Sequence, residues 1–76
     1  MGERKETMRE NNMFLVREWN SEDKKEQIRV WVTLRRGKQT FVIKSFSEGK
    51  LKKEITTIFP HKIRELEEDL RNKGWK

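Results

Sequence analysis

Hydrophobic and polar side chains alternate most regularly over Ile28–Arg36 (IRVWVTLRR), where Ile28, Val30, Val32 and Leu34 interleave with Arg29, Trp31, Thr33 and Arg35. A period of two is that of a strand with one face covered, so this segment is predicted as a β-strand. Gly37 marks a tight turn, and Gln39–Phe46 (QTFVIKSF) returns as the partner strand. Two-residue loops at Arg36-Gly37 or Gly37-Lys38 both meet the need of such turns for positive φ. Either loop pairs even positions of the first strand with odd positions of the second, so the faces do not depend on the choice. The inner face is Ile28, Val30, Val32, Leu34, Phe41 and Ile43. The outer face is Arg29, Trp31, Thr33, Arg35, Lys38, Thr40, Val42, Lys44 and Phe46. Only a bulge at Gly37 would exchange them.

Weaker patterns flank this hairpin. Met13–Trp19 (MFLVREW) is an apolar run closed by the turn-like Asn20-Ser21-Glu22-Asp23, with Phe14 and Val16 on one face and Met13, Leu15 and Trp19 on the other. Ser47-Glu48-Gly49-Lys50 reads as a second turn, and Lys53–Phe59 (KEITTIF) as a β-branched fourth strand. Pro60 opens a helix where a missing amide hydrogen costs nothing, and Ile63, Leu66 and Leu70 form its apolar stripe. Gly74 is a natural stop, with Trp75 folding back on the helix. Met1–Asn12 (MGERKETMRENN) alternates charge and is read as a mobile tail. The fold class is therefore α+β: residues 13–76 form an antiparallel four-stranded sheet followed by one C-terminal helix (β-β-β-β-α). The inward set comprises Phe14, Val16, Ile28, Val30, Val32, Leu34, Phe41, Ile43, Ile55, Phe59, Ile63, Leu66 and Leu70. These let sheet and helix cover each other, leaving the second sheet face to water, a twin or a ligand.

Composition narrows the picture. Of 76 residues only 32% are hydrophobic and 42% are charged, with no cysteine. A core this small, without disulfide or metal staples, implies oligomerisation, and a homodimer is expected. No apolar run approaches the ~18 residues that span a bilayer, so no membrane is expected as a partner. Met1–Asn12 lacks the apolar centre of a secretory signal. Together with the lack of cysteine, this points to a cytoplasmic location, with nucleoid and nucleus equally compatible.

Charge adds the functional clue. Residues 1–34 carry seven Lys/Arg and seven Asp/Glu, and residues 54–76 carry five of each. The net charge of +6 therefore lies in Arg35–Lys53, where Arg35, Arg36, Lys38, Lys44, Lys50, Lys52 and Lys53 face Glu48 alone. A field concentrated in one stretch attracts polyanions. On the outer hairpin face Trp31 lies between Arg29 and Arg35, with Lys44 across and Phe46 beyond. Rings interleaved with cations suit a single-stranded nucleic acid, whose bases stack at ~1–3 kcal/mol each while cations follow the phosphates. A duplex hides its base faces, so single strands are favoured. The candidate nucleic-acid-binding residues are Arg29, Trp31, Arg35, Arg36, Lys38, Lys44 and Phe46. Burial of Trp31 as an interface anchor and edge protection by the lysines are the competing structural readings.

Catalysis has little to build on. The chain has no cysteine nucleophile, His–acid spacing, phosphate-cradling glycine loop or metal motif, so no enzyme, metal or cofactor is expected.

IRVWVTLRRGKQTFVIKSF followed by KEITTIFPHKIRELEEDL, over about residues 28–70, resembles the ββββα repeat of the PUR-alpha, Whirly and positive-cofactor-four families. The resemblance implies single-stranded DNA or RNA binding on a curved sheet, typically in a dimer, with Arg29, Trp31, Arg35 and Lys44 as sheet contacts. The same elements also resemble the three-stranded arm-type DNA-binding domain of conjugative-transposon integrases. If the fourth strand were loop, that likeness would imply duplex binding through Arg29, Thr33, Arg35 and Lys44. A third reading is a small interaction module that docks an acidic protein partner, with Met13–Trp19 adding to the partner's sheet edge.

Overall fold

The structure is a computed structural model and describes residues 13–76. The mobile-tail expectation for residues 1–12 lies outside the described residues. Four strands, β1 (Phe14–Asn20), β2 (Glu26–Arg35), β3 (Lys38–Ser47) and β4 (Lys50–Thr57), precede one helix, α1 (Pro60–Asn72). They form a single sheet in the order β1-β2-β3-β4, with every neighbouring pair antiparallel. The predicted α+β order is the observed one. The fourth strand begins three residues earlier than Lys53, because pairing with β3 starts at Ser47–Lys50, directly at the expected turn.

Two-residue turns set the registers. Arg35 pairs with Lys38 around Arg36-Gly37, and Ser47 pairs with Lys50 around Glu48-Gly49. Both central residues of each turn have positive φ (Arg36 53°, Gly37 76°, Glu48 51°, Gly49 83°). This is the type I′ pattern, whose twist matches the strands it joins. Val30 lies opposite Ile43 and Trp31 opposite Val42, so the two hairpin faces are those read from the alternation.

The first strand departs from its simple pattern. Leu15 pairs with Trp31 and Arg17 with Val30, so Val16 is an extra residue in a bulge. Past the bulge the faces exchange, and Phe14, Arg17 and Trp19 share the helix side while Leu15, Glu18 and Asn20 share the outer side. Trp19, expected opposite Phe14, is instead 5% exposed in the core with Val30, Ile43 and Leu70. Val16, expected inside, is exposed.

The helix also covers less than expected. Thirteen residues of α1 span about 20 Å, whereas the ten-residue β2 and β3 run about 33 Å. Ile63 and Leu66 pack with Ile28 and Phe41 against the buried cluster. Phe14 (63% exposed), Leu34 (69%) and Phe59 (52%), together with Ile55, all assigned inward from the sequence, lie outside this cover.

The helix ends in a Schellman arrangement. Gly74 (φ 84°) donates to the Arg71 carbonyl and Trp75 to the Leu70 carbonyl. Trp75 packs on the core cluster, and Lys76 exchanges two backbone hydrogen bonds with Asn20. The C-terminus thereby ties the helix to β1. Among the described residues no helix is long and apolar enough to cross a membrane.

Candidate nucleic-acid interface

The outer face of the β2–β3 hairpin gathers four of the seven candidate residues into a staggered line. Arg29 lies opposite Lys44, Trp31 opposite Val42, and Phe46 opposite Gln27. Long side chains on such a ladder reach diagonally across it. The Lys44 ammonium sits 5.0 Å from the Trp31 ring centre, and the Arg29 guanidinium 5.4 Å from that of Phe46. Phe46, Arg29, Lys44 and Trp31 thus alternate ring, cation, cation, ring. All four are half-buried, which fixes their positions while leaving part of each accessible.

Beneath them the outer face has a small apolar centre that the alternation did not reveal. Val42 is 1% exposed, between Trp31 and Thr56 on the adjoining strands and Thr40 and Lys44 along its own. Thr33 and Thr40 form the next cross-strand pair and are both buried, with the Thr40 hydroxyl donating to the Lys38 carbonyl. Trp31 therefore packs on this centre and stays part-exposed at once.

Arg35, Arg36 and Lys38 form a separate cluster at the hairpin end. Arg35 is four residues from Trp31, about 13 Å along the strand. All three are exposed, and no carboxylate among the described residues lies within ion-pairing distance of them. Arg29 differs, since its Nε donates to Glu18 Oε2 at 3.0 Å. Glu54 lies opposite Lys44 on β4. Neither acid was assigned to this face from the sequence. Glu18 arrives there because of the β1 bulge, and Glu54 because a bulge at Lys52 shifts the β4 register by one residue.

The basic stretch Arg35–Lys53 does not form one surface. Arg35, Arg36 and Lys38 stand at one end of β3, and Lys50, Lys52 and Lys53 lie beside its other end, about 23–30 Å away. Lys53 pairs with Ser45 on the helix side, and Lys52 is the extra residue of a second bulge, between Ser45–Lys53 and Phe46–Leu51. Glu26, opposite Ser47, and Glu48 share that second end. The uncompensated positive charge on the outer face is therefore that of the Arg36-Gly37 hairpin end.

Elsewhere, Arg17 lies 4.8 Å from the Trp19 ring centre and pairs with Glu67 at 3.0 Å, which Arg71 also contacts at 3.3 Å. This ion cluster covers Trp19 and serves packing. His61 is exposed beside Phe59, with ring centres 5.6 Å apart. In the β1–β2 loop the Asp23 carboxylate accepts from the Ser21 hydroxyl at 2.7 Å and the Lys25 amide at 3.0 Å. The Ser21 hydrogen bond, followed by that from Lys25, holds its pKa below the ordinary carboxylate value.

Compared with protein-family models, curated proteins and solved structures, the chain matches none.

Proposed function

We propose that this protein binds single-stranded DNA or RNA on the outer face of its central hairpin and acts by binding rather than by catalysis. The observation that carries the reading is the line of Phe46, Arg29, Lys44 and Trp31, continued by the exposed Arg35, Arg36 and Lys38. Lys44 already occupies the Trp31 ring, but displacing it costs little. An exposed cation–π contact is worth ~0.5–1 kcal/mol, whereas a stacked base contributes ~1–3 kcal/mol. A base that displaces Lys44 leaves the ammonium beside the backbone phosphate, so the two gains add. Arg29, held by Glu18, orients the Phe46 edge, and Arg35, Arg36 and Lys38 carry the phosphate contacts.

The likeness to the PUR-alpha, Whirly and positive-cofactor-four families supports the same reading through the shared strand order. A looped fourth segment would have favoured the three-stranded integrase-arm reading, and β4 is a full strand. Docking of an acidic protein segment is a second reading. It is favoured by exposed Phe14 and Leu34 beside the cationic hairpin end.

The test is a fluorescence-anisotropy titration against matched single-stranded and duplex oligonucleotides in a salt series. Salt-sensitive binding with single strands preferred is the expected outcome. Duplex preference would replace the stacking face with groove contacts. No binding to either at low salt would leave the protein-docking reading.

A further inference from the structure

The helix leaves two regions of its own sheet face uncovered, and their charges differ. One, near the hairpin end, is lined by Phe14, Val32, Thr33, Leu34, Gly37 and Gln39 and has no charged side chain in its lining, since Arg35 and Lys38 lie on the opposite face. The other is a groove of about 610 Å3 between β4 and α1. Its apolar lining is Ile28, Ile43, Ile55, Phe59 and Leu66. Lys53 stands on the strand wall, and Lys62, Glu65 and Asp69 on the helix wall. These four charged side chains are exposed, and none has an ion-pair partner among the described residues.

We propose that this groove seats a second copy of the chain in a two-fold pair. Two-fold pairing brings identical surfaces together, so the surface must be self-complementary. The groove meets that condition because Lys53 on its strand wall faces Glu65 and Asp69, which stand with Lys62 on its helix wall. When the helix wall of one copy approaches the strand wall of the other, Lys53 meets Glu65 and Asp69 twice over. The hairpin-end patch has no charged side chain in its lining, so it offers no complementary pairs to fix a twin. Charge therefore assigns the neutral groove to a twin and leaves the cationic end for an anionic ligand.

Packing argues the same way. Among the described residues, five hydrophobic side chains are buried, whereas eight large ones are exposed. Ile55, Ile58 and Phe59, three of the eight, adjoin the groove at the connection from β4 to α1. A stable pair needs about 800 Å2 from each partner, and these exposed residues extend the apolar part of the groove towards that size. Residues 1–12 cannot serve as the occupant, since Met1 and Met8 are their only hydrophobic side chains. Edge-to-edge sheet pairing through β4 is opposed by its lysines and by the bulge at Lys52. Pairing through the groove also leaves the outer hairpin face open, so the two surfaces do not compete.

Sedimentation equilibrium on the full chain, over a concentration series without nucleic acid, tests the pairing. The wild type is expected to be a dimer, and Lys53→Glu/Lys62→Glu and Glu65→Lys/Asp69→Lys each to dissociate at least tenfold more readily. Mixing the two variants should restore a dimer, because each reversed wall then meets its complement. The substituted positions are exposed, so far-ultraviolet circular dichroism should be unchanged. A wild type that stays monomeric to about 0.1 mM, variants as dimeric as the wild type, or a mixture that stays monomeric would each overturn the proposal. Binding of nucleic acid is read in a separate titration, so either proposal can fail alone.

Discussion

Three residues, Trp31, Trp19 and Asp23, carry tests that separate binding from packing. Trp31 is half-buried beside Val42 and touched by Lys44, so truncation affects both roles by different amounts. Trp31→Ala is expected to weaken single-strand binding by ~1–3 kcal/mol with little change in salt slope, since stacking releases no counterions. Unchanged affinity with a lowered melting temperature would assign Trp31 to packing alone. Trp19 is the reverse case, buried on the helix side and remote from the outer face. Trp19→Ala should cost about 3–5 kcal/mol, against about 4–11 kcal/mol for a whole domain of this size. Chemical denaturation should show most of the stability gone. At Asp23 the sign follows from its lowered pKa. The folded state favours the carboxylate, so its contribution is present above the unfolded pKa of about 3.9 and is lost as pH falls through the lower folded value. Melting curves of wild type and Asp23→Ala should differ at neutral pH and converge in acid below that range.

At the scale of elements, the decisive devices are the β1 bulge and the two tight turns. Deleting Val16 would remove the bulge yet keep Arg17 opposite Val30 and Trp19 opposite Ile28, so Trp19 should stay on the helix side. This exposed residue is thus expected to be dispensable, and its deletion should leave cooperative unfolding in denaturant intact; loss of cooperativity would mean that the bend made by the bulge is itself needed. The turns are built with Arg36 and Glu48 at positions where Asn is preferred. A non-glycine residue in the left-handed region costs roughly 1–2 kcal/mol, and Asn is among the residues that tolerate it best. Glu48→Asn should therefore raise stability, by about 0.5–1 kcal/mol, as measured by the denaturant midpoint. A fall would mean that Glu48 makes a compensating contact at that end of the sheet.

For the whole molecule, function depends on how charge and apolar surface are distributed among faces. Only the hairpin end presents cations on the outer side without nearby acids, so it should dominate the salt dependence of binding. Replacing Arg35, Arg36 and Lys38 together by Gln is expected to flatten the single-strand salt slope by roughly 0.7 per lost phosphate contact. The same exchange at Lys50, Lys52 and Lys53 should change it far less. Comparable flattening by both triplets would mean that the ligand spans both ends of the sheet. With a twin seated in the groove, the helix side is covered and the two hairpin faces remain available. The dimer would then present two binding surfaces, and linked sites gain avidity on long strands.

Element type and order were legible in the sequence alone. The two-residue alternation of Ile28–Arg36, the Gly37 turn and the Pro60–Gly74 helix signals are local, each set by side-chain period or backbone conformation within a few residues. The hairpin faces followed from parity, and with them the placement of Arg29, Trp31, Lys44 and Phe46 on one side. Tertiary structure decided what parity could not carry. The bulge at Val16 is a pairing event between strands, and it put Trp19 on the same side as Phe14 and Glu18 on the other. The limited reach of one helix left Phe14, Leu34 and Phe59 outside the core, although their pattern marked them as inward. The Glu48-Gly49 turn and the Lys52 bulge divided a basic run, continuous in sequence, between two ends and two faces. Alternation reports which side of a strand a residue occupies. Only the packed neighbours determine whether anything covers that side.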